Sequence, residues 1–199
     1  YPVTISFGMP MPASSSAHEV RQAIQELSSD ATAHRKSGRD LLDCRMIRTA
    51  RRNWNRFAMA DSTGRELTYG RMLTGSLVVA GWVRRHCAGE EIIAVLLPAT
   101  VAGALVNIGV TLAGRAPANL NFTAGREAMA SAVEQCRIRT VVTSRAFLAK
   151  AKMEPLDGTV FVEEIFARAG KWRQFRALAA ARFAPSSLLC RGRRTQDSL

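Results

Sequence analysis

The chain has 199 residues, 47% of them hydrophobic, and a formal net charge of +12. That length holds one domain comfortably or pieces of two, and the hydrophobic share supports a core and excludes wholesale disorder. The cationic excess either reflects an arginine-rich composition or calls for an anionic partner. Among such partners nucleic acid is disfavoured, because no basic-aromatic motif of a nucleic-acid module is present.

The four cysteines, Cys44, Cys87, Cys136 and Cys190, stand far apart, without zinc spacing or a redox pair. They read as isolated buried thiols of a reducing compartment. The opening Tyr1-Pro2-Val3-Thr4-Ile5 carries no initiating Met, and the last nine residues supply no final element. Both ends read as cut, which sets the expectation of a fragment. The longest uncharged run, 92–113, is split by Pro98 and diluted by Thr100, Gly103, Asn107 and Gly109, so it reads as a buried strand plus a buried helix.

In chain order, Val3, Ile5 and Phe7 alternate with Thr4 and Ser6, which predicts a strand over 1–7. After the Pro10-Met11-Pro12 turn, a helix is predicted over 17–34, with Val20, Ile24 and Leu27 as its apolar stripe and Ser15 or Ser16 as its cap. Ser37-Gly38-Arg39 reads as a linker. Asp40 then caps a helix over 41–53 whose apolar residues are Leu41, Leu42, Cys44, Ile47 and Ala50. Arg45, Arg48, Arg51 and Arg52 form its other face, either as an outer surface or as a contact for anionic lipid.

A hairpin follows, 56–61 and 66–68, around Ser62-Thr63-Gly64-Arg65, with Gly64 at a positive-φ position. Met72, Leu73, Leu77, Ala80 and Val83 recur at helical spacing after Tyr69. The aliphatic run 92–97 predicts a strand covered on both faces, ended by Pro98. Ala102, Leu105, Val106, Ile108 and Leu112 support the next helix, stopped by Gly114, and a short strand comes after it. Further helices are predicted over 124–136 (Met129, Ala132 and Val133 inward) and 145–152, with strands over 138–143 and 159–162. This βα alternation implies a parallel sheet that binds ligands at its carboxyl edge.

One long amphipathic helix is predicted over 163–183, with Ile165, Phe166, Ala169, Trp172, Phe175, Leu178 and Ala179 as its apolar face. No acidic residue appears between Glu164 and Asp197. Three readings stand: a packed helix, a membrane-surface helix, or a dock for an acidic carrier protein.

Leu67-Thr68-Tyr69, the strand end Val95-Leu96-Leu97-Pro98 and the turn from Leu112 through Gly114, Pro117 and Asn119 to Asn121 resemble the opening of an adenylate-forming (AMP-binding) acyl-activating enzyme. Arg115-Ala116-Pro117-Ala118-Asn119 departs from the bulkier aromatic-valine-proline sequence of many members. The resemblance covers roughly 56–162 and implies an incomplete α/β N-terminal subdomain over 56–199, behind a linker and basic helix at 37–55. Leu67, Thr68, Tyr69, Gly114, Pro117, Asn119 and Asn121 are then family motif positions, structural or on a pocket wall.

Residues 1–36 are similar to the end of a lysophospholipid acyltransferase domain. That family's catalytic histidine precedes an aspartate by five positions. Here His18, His34 and His86 are followed at that distance by Ala23, Arg39 and Glu91, so this chemistry is absent from the segment. The adenylating family's serine/threonine-glycine loop ending in proline-lysine-glycine is also absent from 1–199. No catalytic, cofactor-binding or metal residue is therefore assigned.

The resemblance implies a parent protein that uses ATP and Mg2+ to join a fatty acid to acyl carrier protein or coenzyme A. The same parent would acylate a lysophospholipid, 2-acylglycerophosphoethanolamine, in the cytoplasm at the cytoplasmic face of the inner membrane. The segment itself is expected to be inactive. The alternative is a non-enzymatic basic module that contacts anionic membrane or nucleic acid.

Overall fold

The computed structural model describes residues 5–33 and 42–190. The chain divides into two compact units, Tyr1–Asp40 and Leu41–Leu199.

The first unit contains α1 (Ala17–Ala33). Ser16 and Glu19 form a reciprocal cap: the Glu19 amide donates to Ser16 Oγ at 3.3 Å, and the Ser16 amide donates to Glu19 Oε2 at 2.6 Å. These bonds hold the Glu19 carboxyl below its ordinary range. The strand expected over 1–7 is not formed by residues 5–7, and residues 1–4 lie outside the described residues. Alternation alone cannot make a strand without a partner to complete its ladder. The stripe expected of α1 is also largely uncovered, with Ile24 61% exposed. The linker at 37–39 and the cap at Asp40 fall outside the described residues.

The second unit opens with α2 (Leu42–Arg52), which buries Ile47 and Ala50. Leu42, expected inward, is 76% exposed, because it sits at the first turn beyond the packed face. Arg51, expected outward with the other arginines, is half-buried. Its guanidinium donates to Ala181 O at 2.7 Å, to Ala180 O at 3.0 Å and to Ala184 O. It thereby satisfies carbonyls left over at a helix C-terminus.

Strands β1 (Phe57–Ala60) and β2 (Glu66–Thr68) form the expected antiparallel hairpin, with Gly64 at φ 79°. Helix α3 (Tyr69–His86) starts at Thr68, whose Oγ1 accepts from the Arg71 amide. It buries far more than one stripe: Ser76, Val78, Val79 and Trp82 join the expected residues. Helices pack on more than one side of it, so it is an axis of the core rather than a surface helix.

Next come β3 (Ile92–Val95), α4 (Val101–Leu112) and β4 (Ala116–Asn119). A 3-10 turn (Phe122–Ala124) precedes α5 (Arg126–Gln135), and Gly125 at φ 88° breaks the single helix expected there. Then follow β5 (Val141–Thr143), α6 (Arg145–Ala151) and β6 (Thr159–Phe161).

The four strands β3 to β6 form one parallel sheet in the order β4-β3-β5-β6. Side chains of a strand alternate between faces. Ile93, Val95 and Val142 accordingly join the core made with α2, α3 and α4, while Ala94, Leu96 and Val141 pack with Leu120, Met129, Ile138 and Leu148 on the other face. The run 92–113 is thus β3 and α4. No helix of the described residues is long and apolar enough to cross a membrane.

The helix expected over 163–183 is two: α7 (Val162–Arg168) and α8 (Gly170–Phe183), parted at Gly170 with φ 57°. The break changes which residues face inward. Ile165 and Ala169 are buried as expected, but Trp172 is 69% exposed, Phe175 59% and Leu178 44%. Ala177 and Ala181 take the inward side of α8. A final helix, α9 (Ser186–Leu189), ends at Cys190, which is disulfide-paired with Cys44 across 146 residues. This corrects the expectation of four isolated thiols: only Cys87, buried, and Cys136, exposed, are free. Burial pushes the Cys87 thiol up.

Candidate active site at the sheet carboxyl edge

The order β4-β3-β5-β6 contains a reversal. After β3 the chain crosses through α4 to β4 on one side, then returns through α5 to β5 on the other. The loops leaving β3 and β5 therefore diverge, and a crevice must open between them at the carboxyl ends of the strands. A cleft with a volume of about 940 Å3 lies there. One wall is the loop after β3 (Leu97-Pro98-Ala99-Thr100) with Leu105 of α4, and another is Ser144, just after β5, with Ala146, Phe147 and Lys150 of α6. Val162, Glu163 and Phe166 of α7 close a third side, and the hairpin turn with Leu67 and Arg71 closes the fourth.

Apolar side chains make the interior, namely Leu67, Leu97, Leu105, Phe147, Val162 and Phe166, while Arg65, Arg71, Lys150 and Glu163 stand at the margins. Asp61 ties the hairpin to the loop after β3. Its Oδ2 accepts from the Val101 amide at 2.9 Å, at the first turn of α4, and its Oδ1 accepts from the Thr63 hydroxyl and amide. The Thr63 hydroxyl and then the Val101 amide hold the carboxyl below its ordinary range. A carboxylate at a helix N-terminus also meets the positive end of the peptide dipoles.

Three further amides at the cleft are engaged internally as well. Thr100 Oγ1 accepts from the Gly103 amide at 3.3 Å, Ser144 Oγ from the Phe147 amide at 3.0 Å, and Glu163 Oε1 from the Arg145 amide at 3.0 Å. A cradle for a phosphate chain needs free amides converging on the ligand. These helix starts present side-chain caps instead. What the cleft offers is an apolar slot with charged margins, suited to the organic part of a substrate.

The motif positions distribute unevenly around it. Leu67 lines the cleft. Asn119, at the end of β4, exchanges two hydrogen bonds with Asn107 (2.9 and 3.0 Å) and lines an adjoining hollow of about 470 Å3 shared with Met59, Pro98 and Gly103. Thr68 caps α3, and the Tyr69 amide donates to Arg56 O at 3.0 Å. Gly114 turns the chain after α4 at φ 78°, and Pro117 lies in β4 beside Ile93. Asn121 accepts from the Thr123 amide at 3.0 Å and starts the 3-10 turn. Five of the seven thus hold the backbone and two line cavities. Asp61, Thr100, Ser144 and Phe147 were missed; the signal for three of them was their place just after a strand end.

Comparison with known proteins gives one family and many structures. The AMP-binding enzyme family matches over residues 46–186. A nonribosomal peptide synthetase structure, FmoA3 in an AMPPNP-bound form, is 20% identical with a TM-score of 0.56, covering 63% of this chain and 14% of its own. VinN in complex with 3-methylaspartate is also 20% identical with a TM-score of 0.56, covering 73% and 40%. O-succinylbenzoate coenzyme A synthetase (MenE) from Bacillus subtilis, in complex with ATP and magnesium ion, is 17% identical with a TM-score of 0.52, covering 60% and 33%. The α/β architecture and parallel sheet are those of the N-terminal subdomain of adenylate-forming enzymes. The chain spans two fifths or less of each of these three structures.

Proposed function

Because this chain belongs to the AMP-binding enzyme family, we propose that it forms one wall of the substrate cleft in a ligase that activates a fatty acid with ATP. The acyl group would pass to acyl carrier protein or coenzyme A, and in the same parent protein to a lysophospholipid, at the cytoplasmic face of the inner membrane. The observation that supports the ligase reading is the apolar crevice at the sheet reversal, the position where open parallel sheets take their ligands. Walls of Leu67, Leu97, Leu105 and Phe166 suit a long hydrocarbon better than a polar acid. The acyltransferase half rests on the resemblance of residues 1–36, with 37–55 as connector and 56–199 as the activating portion.

ATP, when bound, would supply the adenylyl group that turns a carboxylate into an acyl-adenylate mixed anhydride, with pyrophosphate as the departing group. The described residues do not fit ATP's magnesium ion. Their one group of three close ligands is Asp43, Cys44 and Cys190, where both thiols are spent in a disulfide. Magnesium takes hard oxygen donors in octahedral geometry. With the cleft's helix starts capped, these residues orient and desolvate the acyl tail, and the phosphate chemistry falls to other parts of the parent.

Two assays on the isolated chain test this. Pyrophosphate exchange with ATP and a fatty acid is expected to be absent, and measurable exchange would overturn the division of labour. Carboxyl-labelled palmitate followed by NMR is expected to bind. Filling the cleft with Ala146→Trp should weaken that binding about tenfold while leaving the melting temperature unchanged, since Ala146 is exposed on the cleft wall. Equal binding by both proteins would exclude the cleft as the acyl site.

A further inference from the structure

Helix α8 has two apolar faces, and only one is used by the fold. Its inward side is small: Ala177 and Ala181 are buried, and Ala180 is half-buried. At 100° per residue, Trp172, Phe175, Ala179 and Phe183 fall on the opposite side. Trp172 is 69% exposed, Phe175 59% and Phe183 81%. The Trp172 and Phe175 rings stack at 6.0 Å between centroids, so they form one outward platform. Isolated exposed apolar residues need no explanation, but a contiguous aromatic row does.

Cations border the row on both sides. Lys171 flanks one edge of the helix and Arg173 and Arg176 the other, while the Arg182 guanidinium lies over the Trp54 ring, 5.4 Å from its centroid. Burial, and after it the charges of Arg173 and Arg176, lower the affinity of Arg85, at the last turn of α3, for its proton. The nearest acidic residue before the row, Glu164, is paired with Arg145 and Arg168.

We infer that the outward face of α8, with Trp172, Phe175 and Phe183 flanked by Lys171, Arg173 and Arg176, docks on an anionic lipid surface. Rings with an apolar body seat at the boundary between headgroups and acyl chains, while guanidiniums on either side meet lipid phosphates. An apolar ridge with cations on both borders matches a planar anionic surface better than it matches the discrete pockets of a folded acidic protein. The inference rests on α8 alone and does not need the acyl-activating reading.

Vesicle flotation of the 199-residue chain, with phosphatidylcholine alone and with 30% phosphatidylglycerol, tests it. The chain should float with the anionic vesicles only, and less so as salt rises. Trp172→Ala with Phe175→Ala should lower partition at least about tenfold. Arg173→Glu with Arg176→Glu should lower it about fivefold per charge removed. All four side chains are exposed, so far-ultraviolet dichroism and melting should match the parent chain. In a Trp54→Phe background the fluorescence of Trp172 should shift to the blue on binding, and adding Trp172→Phe should abolish the shift, since the remaining Trp82 is already buried. Equal partition onto both vesicle types, unchanged flotation of the aromatic double variant, or binding to an acidic carrier protein without binding to vesicles would overturn the inference.

Discussion

Asp61 joins two loops through one half-buried carboxylate, and its charge has a direction in pH. The carboxyl is held below its ordinary range by the Thr63 hydroxyl and the Val101 amide. A group depressed on folding contributes stability above its unfolded value and loses that contribution as pH falls through its folded value. Wild type is therefore expected to melt above Asp61→Asn at neutral pH, and the gap should close as pH drops below the ordinary carboxylate range. Parallel melting curves of the two proteins from neutral to strongly acidic pH check this; a gap that stays constant would assign the effect to shape rather than charge. Arg51 works in the same local manner. One planar guanidinium meets three carbonyls near the end of α8, a geometry that a lysine ammonium does not reproduce.

Between elements, α3 packs tightly against α4. A Cβ at Gly109 would stand 2.6 Å from Val79 Cβ and 2.8 Å from Ser76 O. In an open helix, Gly→Ala stabilises by up to about 1 kcal/mol. Here the forced separation of two buried helices should reverse the sign, so Gly109→Ala is expected to cost about 1–3 kcal/mol in urea unfolding. A stabilised variant would mean that the two helices slide apart freely.

These elements were unequally legible in the sequence. The hairpin, α3, β3 and α4 could be read from periodicity, Gly64, Pro98 and Gly114, because local chemistry agrees there with tertiary packing. The α7–α8 break was missed because Trp172 and Phe175 recur at helical spacing and look like core. The alanines that do face inward carry too little hydrophobic signal to compete, and Gly170 alone does not announce a positive φ. The cleft was readable only as a location, the carboxyl edge. Which loops meet there depends on strand order, and no residue encodes that by itself. The partnership of Cys44 and Cys190 likewise needs α2 and α9 to be neighbours first.

At the scale of the whole molecule, β4 and β6 are the outer strands of an open sheet. Each offers one unpaired side among the described residues, in keeping with a chain that spans two fifths or less of the solved structures above. Every rung of this sheet also joins distant stretches: Ile92 pairs with Ala116, Ala94 with Val141, and Val141 with Thr159. Each pairing must close a loop containing a helix before any hydrogen bond compensates the lost chain entropy. The hairpin, built from nearer neighbours, can form first. Refolding is thus expected in the millisecond-to-second range, not microseconds, when followed by intrinsic tryptophan fluorescence in stopped flow. During that interval the strand destined for the centre, β3, waits unmatched, and the chance of catching a second molecule rises with concentration.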